Sequence, residues 1–240
     1  MKKAELVFIP SPGMGHLVST VELAKLLIDR GEQLLITVLI MKLPFDKKVS
    51  SYTSMLSESS DSRIRFLDLK PEESSSQSTF SSTFLYHFID NHKSSVRDIL
   101  AEMSNFASSD LAGVVIDMFC TSMIDVANEF GVPSYIFYTS GAAMLGLVLH
   151  IQSLRDDFNE DVTNYKNSDV ELAIRTYINP VPAKVLPSVI LDKDAGCDMF
   201  LNQAKRYKET NQALADLSIS NTGVESKEYG NEGATLQPDK

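Results

Sequence analysis

The residues best suited to proton transfer in this sequence are a histidine that follows a glycine turn and two polar residues that end separate apolar runs. His16 stands in Pro10-Ser-Pro-Gly-Met-Gly-His16-Leu, directly after the apolar stretch 6–9. That stretch has the length of a strand buried on both faces, and Pro10 and Pro12 end it. Gly13 and Gly15 allow backbone angles or close approaches that a side chain would block. Leu17, Val21, Ala24, Leu27 and Ile28 then recur at helical spacing until Asp29-Arg30-Gly31 closes the segment. His16 is thereby delivered to the mouth of a helix, where unpaired N–H groups and the positive dipole end favour an anion such as a diphosphate. The same field disfavours imidazolium and keeps the ring neutral, the form that accepts a proton as a general base.

Asp117 ends the run Gly113-Val-Val-Ile116, where a carboxylate needs a partner. Thr139 ends a second strand-like run, 134–139. Ligands of parallel α/β sheets collect outside the carboxyl ends of the strands, so His16, Asp117 and Thr139 are expected to meet at one crevice. A carboxylate on the imidazole N–H would orient the ring and stabilise its charge after proton uptake, giving a His-Asp dyad with no protein nucleophile. Taken singly, each residue has a plainer reading: His16 as a loop or capping histidine, and Asp117 as the cap of a helix over 121–130. The cap and dyad roles of Asp117 are compatible. As a dinucleotide fingerprint the glycine loop fails, because Val18 stands where the third glycine belongs.

The elements that must position these groups follow from the alternation of patterns. Strand-like runs recur at 34–41, 64–69, 111–119 and 134–139, with helical patterns between several of them, which is the signature of βαβ crossovers and an α/β fold with a parallel sheet. Phe84, Leu85, Phe88, Ile89, Val96, Ile99, Leu100 and Met103 lie close to one helical stripe. The serine-rich segment 73–82 lacks periodicity and reads as a surface loop ahead of that stripe. Further helices are expected over 121–130, 141–157 and 192–209. From 211 to 240 the chain turns polar, and most of it is expected to be weakly ordered.

Composition excludes several functions. A net charge of −10 over 240 residues, with no basic block interleaved with aromatics, argues against a nucleic-acid partner. Two cysteines, Cys120 and Cys197, form neither a disulfide framework nor a ligand cluster, and His87, His92 and His150 show no metal-ligand spacing. Nowhere do about 18 apolar residues follow one another, and the N-terminal apolar run is too short for a signal-peptide core, so no integral membrane segment and a cytoplasmic location are expected. No nucleophile-elbow or P-loop motif is present.

Pro10-Ser-Pro-Gly-Met-Gly-His16-Leu, then Val114-Val-Ile-Asp117-Met-Phe-Cys120, then Tyr138-Thr-Ser-Gly-Ala142, in that order, resemble the N-terminal half of plant small-molecule UDP-glycosyltransferases. Tyr177-Ile-Asn-Pro-Val-Pro and Leu186-Pro-Ser extend the resemblance, which covers about 3–210. It implies the first of two Rossmann-like domains of a GT-B fold, occupying 1–209, with 210–240 a divergent tail. In that family the first domain holds the acceptor and the second most of the nucleotide sugar. The resemblance further implies that His16 deprotonates an acceptor hydroxyl with Asp117 in support, and that the oxygen attacks the anomeric carbon of UDP-glucose with inversion. By the same resemblance Gly15 and Thr139 approach the donor, while Phe84, Phe119 and Ser140 border a small hydrophobic hydroxylated acceptor such as a phenolic, flavonoid or terpenoid. No cofactor and no metal are implied. The second domain, with its tryptophan-containing signature, has no counterpart in a chain without Trp, so UDP-sugar is expected to bind only weakly. Two functions follow: the acceptor half of a glucosyl transferase, or a non-catalytic acceptor-domain fragment that binds a small ligand or associates with a full-length relative.

Overall fold

Successive side chains of a strand point to opposite faces of its sheet, and the central strand here is apolar on both. In β1 (Lys3–Ile9), Val7 and Ile9 pack on one face with Leu39, Val114 and Ile116, while Phe8 packs on the other with Leu17, Ile36 and Val38. The computed structural model describes residues 3–43, 47–59, 61–70, 84–106, 109–193 and 196–222. After β1 come α1 (Met14–Arg30), β2 (Leu34–Ile40), α2 (Lys47–Ser59), β3 (Ile64–Asp68), α3 (Phe84–Asp90), α4 (Lys93–Phe106), β4 (Ser109–Asp117), α5 (Met123–Glu129), β5 (Ser134–Phe137) and α6 (Ala142–Asp156). A two-stranded antiparallel pair, β6 (Glu171–Leu172) and β7 (Val181–Pro182), precedes the long α7 (Gly196–Thr222).

The five long strands form one parallel sheet in the order β3-β2-β1-β4-β5, with α1 and α2 on one face and α3, α4 and α5 on the other. This is a Rossmann-like α/β fold, as expected, and the sheet that the resemblance to an N-terminal GT-B domain implies. The chain leaves β1 towards β2 and β3, then returns to β1's other side for β4 and β5. Strand order therefore reverses between β1 and β4, the place where such sheets open a crevice for ligands. Register brings the ends together: Ile9 pairs with Ile116, and Asp117 with Phe137. The loops leaving β1, β4 and β5 thus emerge on one edge. A separate apolar cluster around Leu147, Ile151, Ile174, Ile190 and Leu201 fixes α6, α7 and the segments between them.

At the opposite end of β1, Glu5 is buried and accepts hydrogen bonds from Thr37 at 2.6 Å, Ser109 at 2.5 Å and Arg65 at 2.5 Å, tying β1 to β2, β4 and β3. Two sequence expectations change. The stripe over 84–103 is two helices, because the chain turns at Asn91 and His92: the His92 N–H bonds the Ile89 carbonyl, and its ring Nδ1–H donates to the Phe88 carbonyl at 2.8 Å. Ile89 and Val96 stand seven residues apart, so the apolar stripe runs on in phase across the break. At the C-terminus, helix α7 runs past residue 209, its expected end, to Thr222. The serine-rich segment 73–82 and residues 223–240 lie outside the described residues.

Candidate active site

Local sequence explains how His16 reaches the crevice. After Ile9 the backbone passes Ser11 and reaches Gly13 at φ 117° and ψ 148°, a conformation essentially confined to glycine. Gly13 is the N-cap of α1 and brings no capping side chain, so the first N–H groups of the helix are left without a side-chain cap among the described residues. A side chain built at Gly15 would meet nothing within 4 Å, so open space faces the first turn. His16, one residue on, projects from that turn towards the end of β4.

There its Nδ1 lies 2.8 Å from Asp117 Oδ2. A carboxylate only accepts, so Nδ1 carries the hydrogen and Nε2 keeps its lone pair. The Thr139 hydroxyl, two residues beyond β5, donates to the same Oδ2 at 3.1 Å and lies 3.0 Å from Nδ1. Asp117 is 1% exposed and its other oxygen, Oδ1, accepts from Ser11 Oγ at 2.5 Å and from the Phe119 N–H at 3.1 Å. The three groups expected to converge do so. Asp117 does not cap α5, whose N-cap is Ser122; its carboxylate instead closes the turn at Phe119.

The electrostatics shift one expectation. The hydrogen bond to Asp117 raises the His16 pKa above its ordinary 6.5, burial opposes it, and the charge of Asp117 adds to the rise. A helix end carries a fraction of a charge and acts over the first turn, whereas the carboxylate is in direct contact, so Asp117 outweighs the helix mouth. The result is an imidazole that takes up a proton more readily than one held neutral by the helix alone. Cys120, within 3.4 Å of Ser11 Oγ, is no competing nucleophile: burial, with the charge of Asp117 adding to it, pushes its thiol far up.

Phe119 sets its ring edge-on to His16, with centroids 5.5 Å apart and planes at 68°. It also lines a cavity of about 270 Å³ with Tyr86, Ile89, Met199 and Gln203. Ser140 is exposed beside Thr139. Phe84 belongs to a different group, an aromatic row in which it faces Phe88 at 6.0 Å and Phe88 faces His92 at 4.8 Å.

Sequence reasoning missed two contributions. Ser11 was available as a small hydroxyl residue between the two prolines that end β1, but only the fold shows that it meets Asp117. Helix α7, expected only as a further helix over 192–209, grips the 118–122 loop and α5: Tyr207 donates to the Met118 carbonyl at 2.8 Å, Gln203 to the Phe119 carbonyl at 3.0 Å, and Arg206 pairs with Asp125 at 2.6 Å. No signal within residues 196–210 identifies those partners, which lie more than 80 positions away.

Comparison with models of known protein families gives no match. Individual relatives are close. The chain is 52% identical over 224 residues to UDP-glucose flavonoid 3-O-glucosyltransferase 6 of Fragaria ananassa, covering 90% of this chain and 46% of that protein. It is 47% identical over 236 residues to UDP-glycosyltransferase 71E1 of Stevia rebaudiana, covering 93% and 49%. Among solved structures, a UGT transferase from Siraitia grosvenorii in complex with UDP superposes with a TM-score of 0.73 at 34% identity, covering 92% of this chain and 49% of that one. Medicago truncatula UGT71G1, complexed with UDP-glucose, gives 0.71 at 32%, covering 90% and 49%. The chain thus spans about half the length of the relatives it matches. Over that half, in sequence and in the order and direction of its strands, it belongs to the plant UDP-glycosyltransferase family.

Proposed function

We propose that this chain is the acceptor-binding half of an inverting UDP-dependent glycosyltransferase, competent to bind a small hydroxylated hydrophobic molecule and to supply the catalytic base, and inactive in transfer as these 240 residues alone. The observation that carries the reading is the state of His16: Nδ1 is committed to Asp117, and Nε2 has no partner among the described residues. An acceptor hydroxyl placed against Nε2 loses its proton as its oxygen attacks the anomeric carbon of UDP-glucose and the bond to the diphosphate breaks to release UDP, while Asp117 stabilises the imidazolium that forms. Thr139 and Ser11 hold the carboxylate in place for that step. The cavity beside Phe119 is apolar enough to seat an aromatic ring, and the open, uncapped start of α1 at Gly15 suits a diphosphate oxygen of UDP-glucose. The bulk of the sugar-nucleotide would be held by a second domain of the kind the longer relatives have room for. The same geometry serves a non-catalytic role, in which the chain captures an acceptor or pairs with a full-length relative.

The test is a transfer assay with UDP-glucose and a panel of phenolic acceptors. The chain alone is expected to give no product, and addition of the C-terminal half of a full-length relative is expected to restore it. His16→Ala should abolish the restored activity. Product from the chain alone would overturn the half-enzyme reading, and full turnover by His16→Ala would overturn the assignment of the base.

A further inference from the structure

Beside the apolar cluster that packs α6, with Ile174 belonging to both, a groove of about 750 Å³ runs between α6, the segment 173–176 and Lys208 of α7. It shares no lining residue with His16, Asp117, Thr139 or the cavity beside Phe119. Its volume falls within the range of small-molecule sites, about 300–1,000 Å³. Leu149, Ala173 and Ile174 give it an apolar body. Gly146 lets the segment 173–176 close on α6: a Cβ there would stand 2.2 Å from the Thr176 side chain, which lies against α6 and bonds the Ala143 carbonyl at 3.2 Å.

Its charge is the opposite of the molecule's. The chain carries 32 acidic residues against 22 basic, yet the ionisable groups lining this groove are His150, Arg175 and Lys208, with no Asp or Glu among them. Arg175 is exposed and makes no ion pair or hydrogen bond among the described residues. Lys208 has only a loose pairing with Asp157 at 3.9 Å, both side chains being about half exposed or more. Such a pair contributes little, about 0–1 kcal/mol, and leaves the ammonium free to turn to a better partner. Gln152 adds an unmet demand on the same wall. It is 3% exposed, its amide nitrogen donates to Asp156 at 2.7 Å, and its amide oxygen is buried without a partner among the described residues. Buried acceptors in that state are uncommon in native proteins and call for a donor.

We propose that this groove binds a small amphipathic organic anion, its apolar body on Leu149, Ala173 and Ile174 and its carboxylate between Arg175 and Lys208. Arg175 offers the planar fork that receives a carboxylate through two parallel bonds, Lys208 a mobile point charge, and His150 a ring N–H. Inorganic anions alone lack the apolar part and nucleic acid is repelled by the overall charge, so the class is set by the combination of an apolar floor and a cationic rim. The proposal is independent of the transferase reading.

The test uses the full 240-residue chain and 2-naphthoate as probe, followed by amide chemical shifts and calorimetry, with 2-naphthalenemethanol as the neutral counterpart and acetate as the anion without a body. Saturable binding of 2-naphthoate with shifts at Gly146, His150 and 174–176 is expected. Affinity should fall about tenfold or more for the neutral alcohol and for Arg175→Glu and Lys208→Glu, the effect of losing about one charge-assisted contact. Both side chains are exposed, so the variants should keep the parent's circular dichroism and melting temperature; Arg175→Gln and Lys208→Gln, which remove charge without reversing it, should show the same trend. Acetate should not saturate, and added salt should weaken 2-naphthoate. Absence of saturable binding, equal affinity for acid and alcohol, indifference to the four substitutions, or shifts confined to His16 and Phe119 would each overturn the proposal.

Discussion

Asp117→Asn should do more than remove a charge: it should move the proton on His16 from one ring nitrogen to the other. Asp117 Oδ1 accepts from Ser11 Oγ at 2.5 Å and the Phe119 N–H at 3.1 Å, so an asparagine must keep its amide oxygen on that side. Its NH₂ then occupies the place of Oδ2, 2.8 Å from His16 Nδ1, where two donors cannot face one another. The ring resolves the conflict by giving up the Nδ1 hydrogen and carrying it on Nε2, the nitrogen proposed to receive the acceptor's proton. A wrong tautomer of this kind costs about 10⁴-fold in turnover where a histidine is the base. The change in the unmodified fold is smaller: hydrogen bonds to a charged group contribute about 1.5–3 kcal/mol and neutral ones about 0.5–1.5, so the exchange should cost about 1–2 kcal/mol. For a chain of this size that lowers the melting temperature by roughly 2–8 °C.

The linkage sign is also fixed. Asp117 raises the folded-state pKa of His16 above 6.5, so the stability it contributes is full below the unfolded value and lost as pH rises through the folded one. The variant should lose that alkaline decline, and His16 should titrate at lower pH than in the parent. Both quantities are read from the chain itself, by ¹⁵N resonances of the imidazole across a pH series, with His16→Gln to assign its signals among the four histidines. An Asp117→Asn variant whose His16 still carries its proton on Nδ1, or whose titration does not move, would refute the dyad geometry whatever happens to activity.

Two further substitutions probe what supports the site. Glu5→Leu leaves the Thr37 and Ser109 hydroxyls without their buried acceptor and should cost about 2–6 kcal/mol in urea denaturation, at roughly 1–3 per unsatisfied group. Burial pushes the Glu5 carboxyl up, but the bonds from Ser109, Thr37 and Arg65 prevail and hold it below 4.5; its stabilisation is therefore full above the ordinary value and lost as pH falls through the folded one, a dependence the variant should lack. Tyr207→Phe removes the donor to the Met118 carbonyl, which should cost about 1–2 kcal/mol and speed hydrogen exchange at the Phe119 and Cys120 amides of the loop that carries the dyad's carboxylate. Unchanged exchange there would mean the loop holds itself without α7.

What could be read from the sequence, and what could not, divides along the range of the physics involved. The inner strands β1, β2 and β4 were legible because strands buried on both faces need apolar runs, while β3 and β5, partly exposed at the edges, were legible from the alternation that places them after helices. His16 was legible because a glycine conformation such as that of Gly13 and the start of a helix are local events. Its partners Asp117 and Thr139 were legible only through topology: once the sheet is parallel, every strand's carboxyl end lies on one edge, and polar residues that end apolar runs must gather there. The break at Asn91 and His92 was hidden because heptad spacing between Ile89 and Val96 stays in phase through a turn, so the hydrophobic pattern carries no mark of it. Ser11 and the grip of α7 on the 118–122 loop were hidden for a different reason. Each bond joins a side chain whose type is common everywhere to a backbone or carboxylate group over 80 positions away. Such contacts follow from the packing rather than from any pattern, and they bear on the dyad directly: a carboxylate that is 1% exposed is held in register for His16 only if Ser11 and the loop beyond it stay in place. The precision of the site therefore rests on residues that carry no chemical signature of their own, and substitutions there should loosen the dyad while leaving both of its members intact.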